Sequence, residues 1–194
     1  MAQFKSFNPD VEVNGETVLS VVDGMGAFKE KAAKYLADNG ISNPAPGQWY
    51  AQQSWLNAFK AIAESTGEFT LLNIGKKIPE NAKFPPEIND IEKALAAIDV
   101  AYHMNHRLKG EVMFNPATGV LKEGIGHYGF EKTGPKSIKM VCNNPYPCDF
   151  DRGIIDSMAQ KFKPQGTSFV KVKHDDSQPC RKKGDDSCTY LISW

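Results

Sequence analysis

The stretch 144–162, NPYPCDFDRGIIDSMAQKF, precedes SFVKVKH at 168–174 and CRKKGDDSCTYLISW at 180–194. The spacing of its apolar residues predicts a helix after the two prolines, with Asp149 or Asp151 near the helix start. The two later segments predict strands, joined by a polar loop that contains glycine. The end of the chain is therefore predicted to be a helix followed by two strands.

Two segments just upstream have the pattern of β-hairpins. EVMFNPATGVL at 111–121 has a turn at Asn115-Pro116 and Gly119, and GHYGFEKTGPKSIKMVC at 126–142 has one at Gly134-Pro135. We therefore expect four strands before the C-terminal helix.

The residues before Gly110 have helical spacing instead. They predict helices over 16–39, about 48–65 and about 88–107, with a short helix and then a proline-rich crossing over 69–87. Gly24 and Gly26 weaken the first helix and indicate either close packing or a break. Helices followed by antiparallel strands with one returning helix indicate an α+β fold. We expect one domain, 1–194, with a helical half (1–109) packed on a sheet half (110–194).

Composition excludes several classes of protein. The 194 residues carry 23 Lys+Arg and 23 Asp+Glu, so the charge excess that attracts nucleic acid or an anionic membrane is absent. With 41% hydrophobic residues the chain can build a core, yet no apolar run approaches the roughly 18–20 residues of a membrane span. The first residues, MAQFKSFNPDVEV, lack the apolar stretch of a signal peptide, so we expect a cytoplasmic protein.

The cysteines carry a family resemblance. Cys148 opens the predicted helix, and Cys180 and Cys188 close a Cys-x7-Cys segment that contains Gly184-Asp185. Together with the strand order, this pattern resembles the 4-vinyl reductase domain family over about residues 110–194. The resemblance implies an α+β fold related to haem-type nitric oxide sensors, often dimeric. Members include the sensory domains of phenol-responsive activators, in which three cysteines and a glutamate hold zinc beside a ligand pocket.

The resemblance implies that Cys148, Cys180 and Cys188 bind zinc here. Ser177 stands three residues before Cys180, so the family's glutamate is missing and His174 or Asp176 would replace it. Three thiolates and an imidazole suit tetrahedral Zn²⁺. Two alternatives are reduced thiols, with or without a facultative disulfide, and an iron–sulfur cluster that also uses Cys142.

The histidines form a second group. Asp99, His103 and His106 have the spacing of one helical face, and His127 lies among three glycines in GIGHYGF. Two histidines and a carboxylate suit a transition metal such as non-haem iron, and a haem axial ligand is a further option. Hydrogen-bonded histidines without a ligand are the structural alternative.

Aromatic side chains suggest a pocket for a flat organic molecule, although such stripes also build ordinary cores. The candidates are Trp49, Tyr50, Trp55, Phe59, Tyr102, Tyr128 and Phe130. The leading expectation for the function is a homodimeric sensing domain with a structural zinc.

Its hydrophobic or aromatic ligand would lie between the two halves and contact Asp99, Tyr102, His103, His106, His127 and Tyr128. The alternatives are an enzyme, either a reductase of a tetrapyrrole vinyl group or a metal enzyme centred on Asp99, His103, His106 and His127, and a haem-binding sensor.

Overall fold

In the computed structural model, which describes residues 3–194, the ordered elements begin with a strand rather than a helix. The helices are α1 (Gly15–Gly24), α2 (Lys29–Asp38), α3 (Gln52–Thr66), α4 (Glu68–Asn81), α5 (Ile91–Met104) and α6 (Cys148–Lys161). The first strands are β1 (Val11–Asn14), β2 (Trp49–Ala51), β3 (His106–Leu108), β4 (Glu111–Val112) and β5 (Phe114–Asn115). The others are β6 (Val120–Leu121), β7 (Tyr128–Gly134), β8 (Ser137–Cys142), β9 (Lys171–His174) and β10 (Cys188–Ser193).

The strands form two four-stranded sheets and one small hairpin, and every pairing is antiparallel. The order is β2-β1-β3-β4 in the first sheet and β7-β8-β10-β9 in the second, while β5 pairs with β6. The expected α+β fold is confirmed. Among residues 3–194, none of the helices has both the length and the apolarity that crossing a bilayer requires.

The first sheet was not expected from the sequence. In β1, Val11 and Val13 are fully buried and alternate with Glu12, whose carboxylate accepts two hydrogen bonds from Arg107 of β3. This alternation is the ordinary signal of a half-buried strand. It covers only four residues. The neighbouring helical pattern hides it. The helical half contributes three strands that the sequence prediction missed, namely β1, β2 and β3.

The predicted helix over 16–39 is two helices. Gly26 has φ +52 at the break between α1 and α2, a conformation that glycine adopts without strain. Gly24 lies against α4, where an added Cβ would stand 2.5 Å from the Ile74 Cα. Both effects that the sequence suggested are therefore present: Gly26 breaks the helix, and Gly24 allows close packing against α4.

The helix predicted over 88–107 ends earlier, at Met104. The Asn105 N–H donates to the Ala101 carbonyl, and His106 then begins β3, where it pairs with Val13 of β1. His106 therefore does not share a helical face with Asp99 and His103. The sequence prediction was wrong at this residue, because pairing with β1 takes over where the helical pattern continues.

Helices α4 and α6 cross at very short distance, and this crossing sets the position of α6 relative to the helical half. Gly75 and Gly153 face each other there, and an added Cβ would meet the Phe150 carbonyl oxygen at 2.1 Å and the Leu72 carbonyl oxygen at 2.2 Å. The residues at 69–87 thus form a 14-residue helix rather than a short one, followed by the predicted proline-rich crossing.

Candidate functional site

A cavity of about 470 Å³ lies among α4, α5, α6 and the crossing at 82–88. Its surface is mainly apolar, with Trp55, Phe150 and Met158 on the α3 and α6 sides. The proline-rich crossing forms one wall through Phe84 and Pro85. A cavity of this size and character is typical of sites for small organic molecules.

One edge of the cavity is polar, and its polar groups are hydrogen-bonded to one another. The Nδ1 atom of His106 lies 2.6 Å from the Tyr102 carbonyl oxygen, so Nδ1 carries the proton and donates it. The Nε2 atom then accepts from the Tyr146 hydroxyl at 2.5 Å, and the Gln52 amide donates to the same hydroxyl oxygen at 3.0 Å. Burial lowers the pKa of His106 to about 4, so this imidazole is neutral at pH 7.

The cavity accounts for part of the predicted ligand-binding set. Tyr102, His106 and Tyr128 line it, as does Trp55, whereas Asp99, His103 and His127 do not. Four predicted aromatics lie elsewhere: Trp49, Tyr50, Phe59 and Phe130. Trp49 packs under the Arg107 guanidinium at 4.8 Å, and Phe59 is a buried core residue.

The sequence analysis placed the ligand between the helical half and the sheet half. In the structure, helices form most of the cavity wall. Sequence reasoning missed Tyr146 and Phe150, which the α6 start brings to the cavity beside Trp55. Their signal was present in PYPCDF, where two aromatics flank a proline and a cysteine.

The structure brings together the four residues that the sequence analysis proposed as zinc ligands. Cys148, His174, Cys180 and Cys188 each offer a ligand atom, and these four atoms lie within 4.8 Å of one another. The Cys180 sulfur is 3.7 Å from that of Cys148 and 3.9 Å from that of Cys188, while the Cys148 and Cys188 sulfurs are 2.8 Å apart. Cys142 is buried in β8, outside this group of ligand atoms.

His174 has the geometry of a ligand in this cluster. Its Nδ1 lies 2.9 Å from an Asp176 carboxylate oxygen, which orients the ring. Its Nε2 is buried and has no hydrogen-bond partner among the described residues. Asp176, the other candidate for the fourth ligand, is therefore placed behind the histidine, in the manner of carboxylates that support metal-binding imidazoles.

The thiols influence one another strongly. The hydrogen bond between Cys148 and Cys188 lowers the pKa of Cys188 and raises that of Cys148, because one proton lies between the two sulfurs. The Arg181 backbone N–H also donates to the Cys188 sulfur at 3.3 Å. A thiolate is thus already favoured at one position of the cluster, which is the form that metal ions bind.

Beside the cysteines lies a fully buried ion pair between Arg181 and Asp151 of α6. Burial raises the pKa of Asp151 to about 6, although Arg181 and the Tyr128 hydroxyl both oppose this rise. The Tyr128 hydroxyl donates to Asp151 at 2.6 Å, and Tyr128 also lines the cavity. The ion pair therefore connects the cavity wall with the loop that carries Cys180.

Three of the other predicted residues meet at the junction of α5 and β7. The ligand atoms of Asp99, His103 and His127 lie within 4.8 Å of one another. Asp99 accepts the Tyr128 backbone N–H at 2.9 Å, and its second oxygen is 2.9 Å from the His127 Nδ1. Burial opposes protonation of His127, but its hydrogen bonds to Glu123 and Asp99 outweigh burial and raise its pKa. The four-residue centre of the enzyme hypothesis is not assembled, because His106 faces the cavity.

Comparisons with known proteins support the fold. No protein-family model matches the chain. The fold is similar to that of an H-NOX protein from S. oneidensis in the Fe(II) state, at 14% identity and a TM-score of 0.63 over 93% of this chain and 95% of that one. A T. tengcongensis H-NOX mutant gives 13% identity and a TM-score of 0.64 over 93% and 96%. An oxygen-binding H-NOX domain related to soluble guanylate cyclases gives 15% identity and a TM-score of 0.61 over 93% and 94%.

One curated protein is also similar to this chain in sequence. Negative elongation factor D of Mus musculus is 23% identical over 164 residues, 84% of this chain and 26% of that protein, so the chain spans about a quarter of its length. The H-NOX structures are so distant from this chain in sequence that their similarity shows the fold alone. It is the fold that the family resemblance implied, while the 4-vinyl reductase family itself stays an interpretation.

Proposed function

We propose that residues 1–194 form one small-molecule-binding domain of the sensor type, with an apolar or aromatic ligand in the cavity. The observation that carries the proposal is the apolar cavity of about 470 Å³ with its ordered polar edge. Trp55, Tyr102 and Phe150 supply flat walls for a ring. Both His106 nitrogens are already hydrogen-bonded, so the Tyr146 hydroxyl oxygen is the atom of this edge that can still accept a donor group of the ligand, and an uncharged group fits best beside the neutral imidazole.

The test is to fill the cavity without disturbing the fold. Ala97 and Ala96 are neighbours on α5, but only Ala97 lines the cavity. We expect Ala97→Phe to abolish binding of the uncharged apolar fluorophore N-phenyl-1-naphthylamine and retention of any ligand seen by native mass spectrometry. Ala96→Phe should bind like the original chain. Equal binding by both variants would place the ligand elsewhere.

We further propose that Cys148, His174, Cys180 and Cys188 hold a structural zinc ion. Thiolates about 2.3 Å from zinc in a tetrahedral site stand about 3.8 Å apart. Two of the three sulfur separations, 3.7 and 3.9 Å from Cys180, suit this geometry, and the 2.8 Å between Cys148 and Cys188 would widen around the ion. The unpartnered His174 Nε2 supplies the fourth donor. Zinc there would tie the start of α6 to β9 and β10 across a loop with little apolar burial.

Elemental analysis should find about one zinc per chain in this cluster, by the four-ligand rule for structural sites. Cys180→Ser should lose zinc and lower the unfolding temperature, because metal binding is coupled to folding. Cys142→Ala, at a buried cysteine outside the cluster, should keep its zinc. A metal-free chain, or a mass lower by two hydrogens from a disulfide, would contradict this proposal.

A haem-binding sensor is the second candidate, favoured by the likeness to H-NOX structures. The cavity residues do not fit a histidine-ligated haem as they stand, because both His106 nitrogens are engaged and no other described histidine lines the cavity. Titration with hemin separates the two candidates. A Soret band that saturates at one equivalent and is lost in His106→Gln would favour haem, and an unchanged free-hemin spectrum would favour the organic ligand.

A further inference from the structure

The cluster at the α5–β7 junction is separate from both proposed sites. Asp99 and His103 lie one turn apart on α5, and His127 directly precedes β7. None of the three lines the apolar cavity, and none belongs to the cysteine cluster. Their ligand atoms nevertheless lie within 4.8 Å of one another. A cavity ligand and a structural zinc leave this convergence unexplained.

The side chains are held in place before any ion arrives. The Tyr128 backbone N–H fixes one Asp99 oxygen at 2.9 Å, and Glu123 approaches the His127 Nε2 at 3.0 Å from the solvent side. The His127 Nδ1 lies 2.9 Å from the other Asp99 oxygen, and an ion bound by both atoms would replace the proton between them. The His103 ring is completely buried, and its Nδ1 donates to the Asp99 backbone carbonyl at 2.8 Å. That bond leaves the proton-free nitrogen at Nε2.

The His103 Nε2 is the atom that most needs a ligand. It is buried and has no hydrogen-bond partner among the described residues. A buried acceptor without a partner destabilises the folded chain, and a bound ion would remove that cost. Metal-binding histidines typically donate their other ring nitrogen to a carbonyl or carboxylate, as His103 does here. The burial of His103 and the exposure of Glu123 together describe a site with a closed inner side and an open rim.

We propose that Asp99, His103 and His127 form a second metal site, with Glu123 at its rim, for a divalent transition ion such as Zn²⁺, Co²⁺ or Fe²⁺. Two imidazoles and a carboxylate suit these ions, whereas Ca²⁺ and Mg²⁺ prefer oxygen ligands throughout. The ion would join α5 to β7. These elements also carry Tyr102 and Tyr128, so metal binding would hold two walls of the cavity in register.

Cobalt distinguishes this site from the cysteine cluster, because only thiolate ligands give intense sulfur-to-metal charge-transfer bands. The probe is Co²⁺ added to the chelator-treated full chain, followed by elemental analysis and absorption spectroscopy. We expect about two cobalt ions per chain, and about one in His127→Ala with its charge-transfer bands unchanged. Glu131→Gln, an exposed carboxylate on β7, is the control and should keep both ions.

His127→Ala is the main variant because His127 is 30% exposed and its loss leaves the core intact, and Asp99→Asn checks it from the other element. Loss of the second ion in both variants supports the site. Retention of both ions in His127→Ala, or binding of cobalt by the thiolates alone in the original chain, would overturn it. If the zinc proposal fails instead, cobalt binds without charge-transfer bands and is still lost in His127→Ala.

Discussion

At the scale of single residues, the buried His106 links the stability of the protein to pH. It is 2% exposed, and both ring nitrogens of the neutral form have hydrogen-bond partners. Protonation would put a charge in an apolar cavity and turn the acceptor Nε2 into a donor that faces the Tyr146 hydroxyl. Burial therefore couples the charge state of one side chain to the stability of the fold.

We predict that stability falls in acid through His106. The folded side chain stays neutral down to about pH 4, whereas the unfolded one takes up a proton near 6.5. Between these values the unfolded state binds more protons, so the free energy of unfolding drops by about 3 kcal/mol as the pH falls. Urea unfolding of the original chain and of His106→Gln, each at pH 7 and pH 4.5, measures this loss of stability as the difference between the two proteins. Parallel losses in the two proteins would contradict it, because all other groups titrate in both.

At the scale of elements, the α4–α6 crossing determines where the cysteine-bearing helix lies. The helix backbones touch at Gly75 and Gly153, and side chains would hold them apart. Because α6 starts at Cys148 and carries Phe150 and Asp151, this contact positions the cysteine cluster, one cavity wall and the buried ion pair together. Interiors are packed densely enough that such a crossing cannot absorb an added methyl group.

We predict that Gly75→Ala destabilises the protein by about 3 kcal/mol, because the new Cβ would force α4 and α6 apart. At an ordinary helical position the same change stabilises by about 1 kcal/mol, since alanine is the better helix former. Asn73→Ala, at an exposed position of the same helix, is the matched control and should have little effect. Thermal unfolding of the three proteins decides it. An unchanged melting temperature for Gly75→Ala would mean that the helices cross less closely.

At the scale of the whole molecule, the two sheets differ in what they connect. The first joins β1, which precedes α1, to β3, which follows α5, and β2 pairs with the other edge of β1. The second holds the hairpin β7–β8 next to β10 and β9, with Cys142 and Cys188 paired in register. The cavity and both clusters of ligand atoms lie where α5 and α6 meet these sheets.

We predict a homodimer, which the family resemblance implies and which is the commonest closed assembly. Phe28, Phe69 and Phe169 are each more than 60% exposed, so the surface retains apolar area that a second copy would cover. Light scattering at micromolar concentration should give about twice the 21.4 kDa of the chain. If the chain is a dimer, Phe69→Ser and Phe169→Ser test which surface it uses, whereas a mass near that of one chain would contradict the prediction.

The sequence by itself determined the elements whose signal is local. The helix that starts at Cys148, the two hairpins and the helical stripe on α5 follow from residue spacing and turn chemistry, and the α+β class follows from their order. Only the tertiary structure decided which distant residues meet. Strands β1 and β2 have four and three residues, and their pairing depends on partners far along the chain. The histidines divide between cavity and cluster because pairing with β1 ends α5 before His106. Helices α4 and α6, which both contribute to the cavity wall, touch through two glycines, a contact that no local pattern encodes.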